Sequence, residues 1–388
     1  ISCHLLASTM KLLPCILSIL LLASVDPAIS SVRRFDSIFS FGDTFADTGN
    51  GRVVYAENSV PDPTAHPPYG QTFFGHPTGR STDGRLIIDF IAHELWLPLV
   101  PPSLSRNASF SHGASFAVSA ATALDVGFFK DIPIAGMLAL DTSLRVQLQW
   151  FESLKTSLCG PAKACPPGFF DKSLFFMGEF GVNDYSFSLL GKTLAQVRSI
   201  VPDVVKAIAE ATEGLIHHGA KTVVVPGIPP LGCTPPNLVF FPSADPAGYE
   251  PRTGCLKGFN ELSVHHNTLL QEALETVQTN NPGALVVYAD FYTPVIKMVK
   301  SPWKYGLTTK VLSCCCGGGG KYNFNMSAGC GMPGASVCED PSQYLYWDGH
   351  FTEAAHRKIA RGWLRKLNMH DLMMEPAYPY FDMAKDSA

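Results

Sequence analysis

The chain has 388 residues, 46% of them hydrophobic and 16% charged, with a formal net charge of -4. That composition supplies a large core and excludes a disordered chain. No basic block is present, which argues against a nucleic-acid partner.

The N-terminal stretch reads as a targeting segment. Met10-Lys11 precedes the apolar run "LLPCILSILLLASV", and "DPAIS" supplies a small-residue exit. This is the pattern of a secretory signal peptide, and the run is short for a membrane span. A buried N-terminal helix is the bland alternative. Residues 1–30 are expected to be leader and signal peptide, with Met10 as start and a mature chain from Ser30 or Ser31. Export without a stable membrane anchor follows from that reading.

Further along, apolar runs alternate with amphipathic stretches. "SIFSF" (37–41), "SLFFMG" (173–178), "TVVVPG" (222–227) and "ALVVYA" (284–289) read as buried strands, with "ASFAV" (114–118) a weaker candidate. Helical patterns cover 85–95, 143–154, 197–219 and 256–278. Continuous apolar strands alternating with helices predict a mainly parallel sheet covered on both faces, a three-layer α/β/α sandwich. Ligands in such folds sit beyond the carboxyl ends of the strands. Residues 51–83 and 301–350 read as long loops. The whole is expected to be one domain over 31–370 with a tail at 371–388.

An exported chain favours disulfides over metal thiolates. Cys3 and Cys15 would leave with the signal, and nine cysteines remain. The odd count predicts four bridges and one thiol left over. Zinc is the rival for the "CCC" cluster, but no CxxC pair accompanies it. Sequons at Asn107 and Asn325 fit a glycosylated surface.

Three stretches carry candidate chemistry. In "FGDTFADTGN", Asp43 and Thr44 fall where the first strand ends. In "FGVNDYSF", Gly181, Asn183 and Asp184 follow the strand "SLFFMG", and an asparagine amide there suits a developing oxyanion. In "YWDGHFTEAAHRKIA", Asp348 and His350 precede a helix with Thr352 at its cap. Aspartate beside histidine is the arrangement that makes imidazole a general base. Taken singly, each has an adequate bland reading as a turn, a cap or a structural histidine. Taken together, a hydroxyl, an amide donor and an Asp-His pair at successive strand ends are the parts of acyl transfer. No motif asks for a cofactor, since no GxGxxG follows the first strand.

Those stretches, with "PYGQTFFGHPTGRSTDGRLIIDFIA" (68–92), "GASFAVSAATAL" (113–124), "PGIPPLGCTP" (226–235) and "CCGGGGKYNFN" (315–325), resemble the plant GDSL esterase/lipase family of the SGNH hydrolases. The likeness runs from about Phe35 to Leu367. It implies a flavodoxin-like sandwich and a triad hydrolase acting on small-molecule, carbohydrate or lipid esters in the apoplast or cell wall. Carried over, Thr44 stands at the nucleophile position. His350 would be the base and Asp348 its orienting partner. Oxyanion donors would be Asn183, a backbone N–H near Ala120 and the N–H of Thr44. The resemblance sets no oligomeric state and no acyl substrate, and leaves hydrolysis and acyl transfer both open.

Three departures stand out against the family pattern. Thr44 replaces serine, which adds a methyl and stiffens χ1. Asp348-Gly349-His350 is one residue shorter than the family's Asp-x-x-His. The pair can meet in an extended segment, where Gly349 permits unusual dihedrals, and does not face itself in a helical turn, and the sequence leaves both open. Ser119-Ala120 replaces a Gly-Gly pair, the mildest change if only a backbone N–H is needed. Cys314 stands where relatives carry alanine, and is the candidate free thiol, open to mispairing. The alternative to a working, slow enzyme is an impaired one that keeps the cleft to bind a ligand or partner.

Overall fold

The computed structural model of the chain describes residues 34–160 and 165–367. The expected signal segment and C-terminal tail lie outside the described residues. Five parallel strands form one sheet in the order β2-β1-β3-β4-β5. They are β1 (Ser37–Phe41), β2 (Gly113–Ser115), β3 (Ser173–Met177), β4 (Thr222–Pro226) and β5 (Leu285–Ala289). The register sets Phe39 beside Phe175 and Val224 beside Val287. The weak strand at 114–118 is a strand only over Gly113–Ser115, although Phe116 N–H still bonds the Ser40 carbonyl at 2.7 Å and Val118 N–H the Gly42 carbonyl at 3.2 Å.

The principal helices are α1 (Asn50–Glu57), α2 (Ile87–Glu94), α3 (Leu144–Leu158), α4 (Val182–Leu189), α5 (Val201–His217), α6 (Lys257–Asn280), α7 (Tyr292–Lys300) and α8 (Glu353–Lys366). Strand side chains alternate between two cores. Phe39, Phe41, Phe175 and Val223 face α3, α5 and α6. Ile38, Leu174, Phe176 and Val224 face α2, α7 and α8. A strand buried on both sides needs apolar residues throughout, which is why β1, β3 and β4 read as continuous runs. Phe39 stacks on Phe175 with centroids 5.1 Å apart, and truncating such a ring costs about 3–5 kcal/mol.

Two sequence expectations change. The stretch at 197–219 is two helices, Leu194–Ser199 and α5, since Pro202 occupies the first turn of α5. Proline lacks the N–H that a continuous helix needs there. The loop at 51–83 begins inside helix α1. Asp47 receives the N–H of Gly51 at 3.0 Å, and Val54 is buried, so tertiary contacts make a helix that propensity hides. The rest of that loop is tied down. Arg80 makes a buried two-pronged pair with Asp89, each bond 2.8 Å, and reaches the Thr48 carbonyl at 3.1 Å.

The strand order reverses between β1 and β3. In an open parallel sheet that crevice is where ligands bind. The turn carrying Asp43 and Thr44 follows β1, and the turn carrying Asn183 follows β3.

Candidate active site

At the end of β1, Gly42 has φ +146°, and a Cβ there would lie 3.2 Å from Ala46 Cβ and from the Gly178 backbone. Only glycine fits. Buried Gln147 of α3 clamps this peptide from both sides, accepting the Gly42 N–H at 3.0 Å and donating to its carbonyl at 2.8 Å. Asp43 accepts the Phe45 N–H at 3.0 Å. Thr44 is nearly buried, and its Oγ1 accepts the Ala120 N–H at 3.1 Å. No hydrogen bond among the described residues uses the N–H of Thr44 itself.

Asp47 fastens this turn to the 119–120 segment. Its carboxylate accepts Gly49 N–H at 2.8 Å, Ser119 N–H at 2.7 Å and Ser119 Oγ–H at 2.9 Å. Ala120 is held at φ +66°. An L-residue pays for that left-handed conformation with roughly 1–2 kcal/mol. The Gly-Gly to Ser-Ala departure is therefore not neutral to the backbone, although the N–H still points at Thr44.

After β3, Gly181 (φ +120°) opens α4, and a Cβ there would meet His266 Cε1 at 3.0 Å. The Asn183 amide nitrogen donates to Asp43 Oδ2 at 2.7 Å and to the Ala121 carbonyl at 3.0 Å. Asp184 is fully buried and accepts the N–H groups of Ala123 and Leu124, each at 2.9 Å. Burial pushes the carboxyls of Asp43 and Asp184 up to about 6.

The shortened Asp348-Gly349-His350 segment still brings its pair together. His350 Nδ1 lies 2.8 Å from Asp348 Oδ1, which also accepts the His350 backbone N–H at 3.0 Å. Gly349 makes this possible at φ +120°. The other oxygen, Asp348 Oδ2, accepts the Tyr69 hydroxyl at 2.5 Å. Burial alone would lower the His350 pKa, but the Asp348 charge and hydrogen bond outweigh it and the net shift is upward. For Asp348, burial pulls upward, and His350 and Tyr69 hold it below the usual carboxylate value. His350 and Thr44 share no hydrogen bond in this resting site, although the Phe45 ring lies 5.7 Å from the imidazole.

Asp43, Thr44, Asn183, Asp348 and His350 line one cleft of about 410 Å³. Its other walls are largely apolar, with Phe45, Tyr69, Leu231, Phe324, Met326 and Met332 among them. Ala120, Gly181 and Asp184 are not among its lining residues. Both sequon asparagines are exposed, and Asn325 sits on the cleft wall while Asn107 does not.

A family model described as GDSL-like Lipase/Acylhydrolase matches residues 38–363. This chain belongs to that family. A GDSL esterase/lipase of Arabidopsis thaliana is 44% identical over 359 residues, covering 92% of this chain and 88% of the relative. Sinapine esterase of Brassica napus is 42% identical over 346 residues, covering 88% of this chain and 88% of the relative. Acetylajmalan esterase 1 of Rauvolfia serpentina is 42% identical, covering 85% of this chain and 86% of the relative. The chain is an ester-bond hydrolase of the plant GDSL group.

The cysteines follow the expected count. Bridges join Cys159–Cys165, Cys233–Cys255, Cys315–Cys338 and Cys316–Cys330, and Cys314 is free. Cys314 is buried, however, and burial pushes its thiol well up. It is therefore shielded from the mispairing expected of it. Among the described residues no group of side chains is arranged to hold a metal, and no helix is long and apolar enough to cross a membrane.

Sequence reasoning missed three residues that build the site: Tyr69, Gln147 and Asp47. Each was in view, but each acts through a partner far away in the chain. Tyr69, for example, binds Asp348 across 279 positions.

Proposed function

We propose that this GDSL hydrolase cleaves small, largely apolar carboxylic esters through an acyl-enzyme on Thr44. The gathering of Thr44, Asn183 and the paired Asp348–His350 in one cleft carries this reading. His350 Nε2 takes the Thr44 hydroxyl proton as Oγ1 attacks the acyl carbonyl. The tetrahedral oxyanion receives the N–H groups of Thr44 and Ala120 and a shared N–H of the Asn183 amide. Collapse breaks the ester bond, and the alcohol leaves with the proton from His350. Water then repeats the sequence on the acyl-Thr44 ester, releasing the acid.

The extra methyl of Thr44 slows this chemistry. Fitting one methyl into a packed site costs about 1–3 kcal/mol, or roughly five- to 150-fold in rate. The 410 Å³ apolar cleft favours a compact ester over a polymer. The printed names of two relatives, sinapine esterase and acetylajmalan esterase, agree with small-molecule esters. Export, with glycans at Asn107 and Asn325, is part of the same proposal. Four bridges in one chain support it, and N-terminal sequencing of protein from the medium checks it. A chain that retains Met10 contradicts export.

The rate test uses p-nitrophenyl acetate. Thr44→Ala is expected to abolish turnover, and Thr44→Ser to raise it above wild type. Turnover that survives Thr44→Ala overturns the mechanism. Wild type silent with Thr44→Ser active makes the natural chain an impaired enzyme through Thr44 alone.

A further inference from the structure

Directly behind Asn183 lies a second acid that the reaction does not use. Glu179 is 2% exposed and Asp43 1% exposed. Each lies two residues past the Phe41–Met177 pair that ends the β1–β3 register, and the two carboxyls interact across that seam. Among the described residues no lysine or arginine pairs with either one. Neither oxygen of Glu179 makes a well-formed hydrogen bond among the described residues. Its carboxyl borders a cavity of about 20 Å³ walled by Phe45, Ile87, Ile88, Phe176 and Phe291, with Ser40 beside them.

Two buried carboxyls in contact without a cation cannot both be ionised, and they share one proton. The distribution of that proton follows from the other bonds. Both Asp43 oxygens already accept, from Phe45 N–H at 3.0 Å and from the Asn183 amide at 2.7 Å. Glu179 has the Val182 N–H to favour its charge, the last of the influences on it, and neither of its oxygens makes a well-formed hydrogen bond. The proton therefore resides on Glu179.

We propose that Glu179 is a positioning residue: as a neutral acid it donates its O–H to Asp43 and keeps that carboxylate aimed at the Asn183 amide. This rests on the reading of Asn183 as an oxyanion donor. Asp43 fixes the amide plane from one side and the Ala121 carbonyl from the other. Loss of the Glu179 proton puts two anions in contact, and Asp43 is driven off the amide. The other charged groups facing this pair are Asp184 on α4, Asp47 on the β1 turn and His350 on the 348–350 segment. The walls contributed by α2, α7 and α8 carry no titratable group at the cavity.

The sign of the pH effect follows. Burial and the Asp43 charge raise the Glu179 pKa well above its ordinary value. Its stabilising contribution is full at low pH and is lost as pH rises through the folded value. Turnover carries the same alkaline fall.

The test compares wild type, Glu179→Gln, Glu179→Leu and Asn183→Ala on p-nitrophenyl acetate, with kcat and KM measured across pH. Circular dichroism confirms that each variant is folded. Glutamine donates as the neutral acid does and cannot ionise. Glu179→Gln is expected to keep kcat within about twofold and to lose the alkaline fall. Glu179→Leu is expected to lower kcat about tenfold or more with KM little changed, short of the hundred- to thousandfold for removing an oxyanion donor. The proposal is overturned if Glu179→Gln loses as much as Glu179→Leu, or if Glu179→Leu keeps wild-type kcat while Asn183→Ala does not. If Asn183→Ala itself keeps kcat, the oxyanion reading fails, whatever Glu179 does.

Discussion

The two halves of the site are held by different physics. The Thr44 half sits on the sheet rim, and buried polar side chains fix it: Gln147 on Gly42, Asp47 on Ser119, Asp184 on Ala123 and Leu124. The His350 half sits on a segment outside the sheet. Its backbone is paired with the bridged loop, through Cys315 N–H to Tyr346 O at 2.9 Å and Cys316 N–H to Trp347 O at 2.7 Å. Bridges from Cys315 to Cys338 and from Cys316 to Cys330 close that loop. One half depends on buried hydrogen bonds, whose loss leaves desolvated groups unpaired. The other depends on covalent closure, which limits the unfolded alternatives. Redox conditions should therefore reach His350 before Thr44.

Removing a staple breaks the comparison most severely. Replacing Cys316 and Cys330 together by serine should cost about 2–4 kcal/mol of stability. A shift of His350 by roughly 1 Å should cost about a hundredfold in kcat. Helix and strand content by circular dichroism should persist at the assay temperature. Loss of sheet structure in step with activity would show that the two halves do not differ as described.

A smaller effect belongs to Tyr69. Tyr69→Phe removes a hydrogen bond to a charged carboxylate, a loss of about 1.5–3 kcal/mol, and should lower kcat about tenfold. The pH profile sharpens this. A general base must be neutral, and Asp348 raises the His350 pKa. The rate kcat/KM should thus rise with pH through a midpoint above 6.5, the ordinary histidine value. A midpoint at or below it would mean that Asp348 does not stabilise the imidazolium.

The smallest change sits on the opposite half. Ala120→Gly relieves the left-handed backbone at φ +66° and should stabilise the fold by roughly 1 kcal/mol. Because the N–H is unchanged, kcat should stay within about twofold. Thermal melts and steady-state rates check both, and a large fall in kcat would show that the Ala120 methyl itself shapes the site.

How much of this was legible in the sequence depended on range. Strands β1, β3 and β4 were readable because burial on both faces forces continuous apolar runs. Thr352 was readable as a cap because its partner, the Ala355 N–H, is three residues away. Helix α1 was not, since Asn50-Gly51 is a poor helical opening and the compensation comes from Asp47 and packing. The number of bridges followed from counting cysteines, but their pairing is a property of the folded loop. Whether Asp348 meets His350 turned on the backbone at Gly349, which residue type permits without dictating. Tyr69 and Gln147 act on residues 279 and 105 positions away. No local pattern encodes contacts of that kind.

The central claim is that Thr44 forms the acyl bond, and trapping tests it most directly. A fluorophosphonate probe reacts with an activated hydroxyl and stays attached. After incubation and proteolysis, peptide mass spectrometry should find the adduct on Thr44, and His350→Ala should abolish it. An adduct on another residue, with Thr44 unmodified in active protein, would contradict the account.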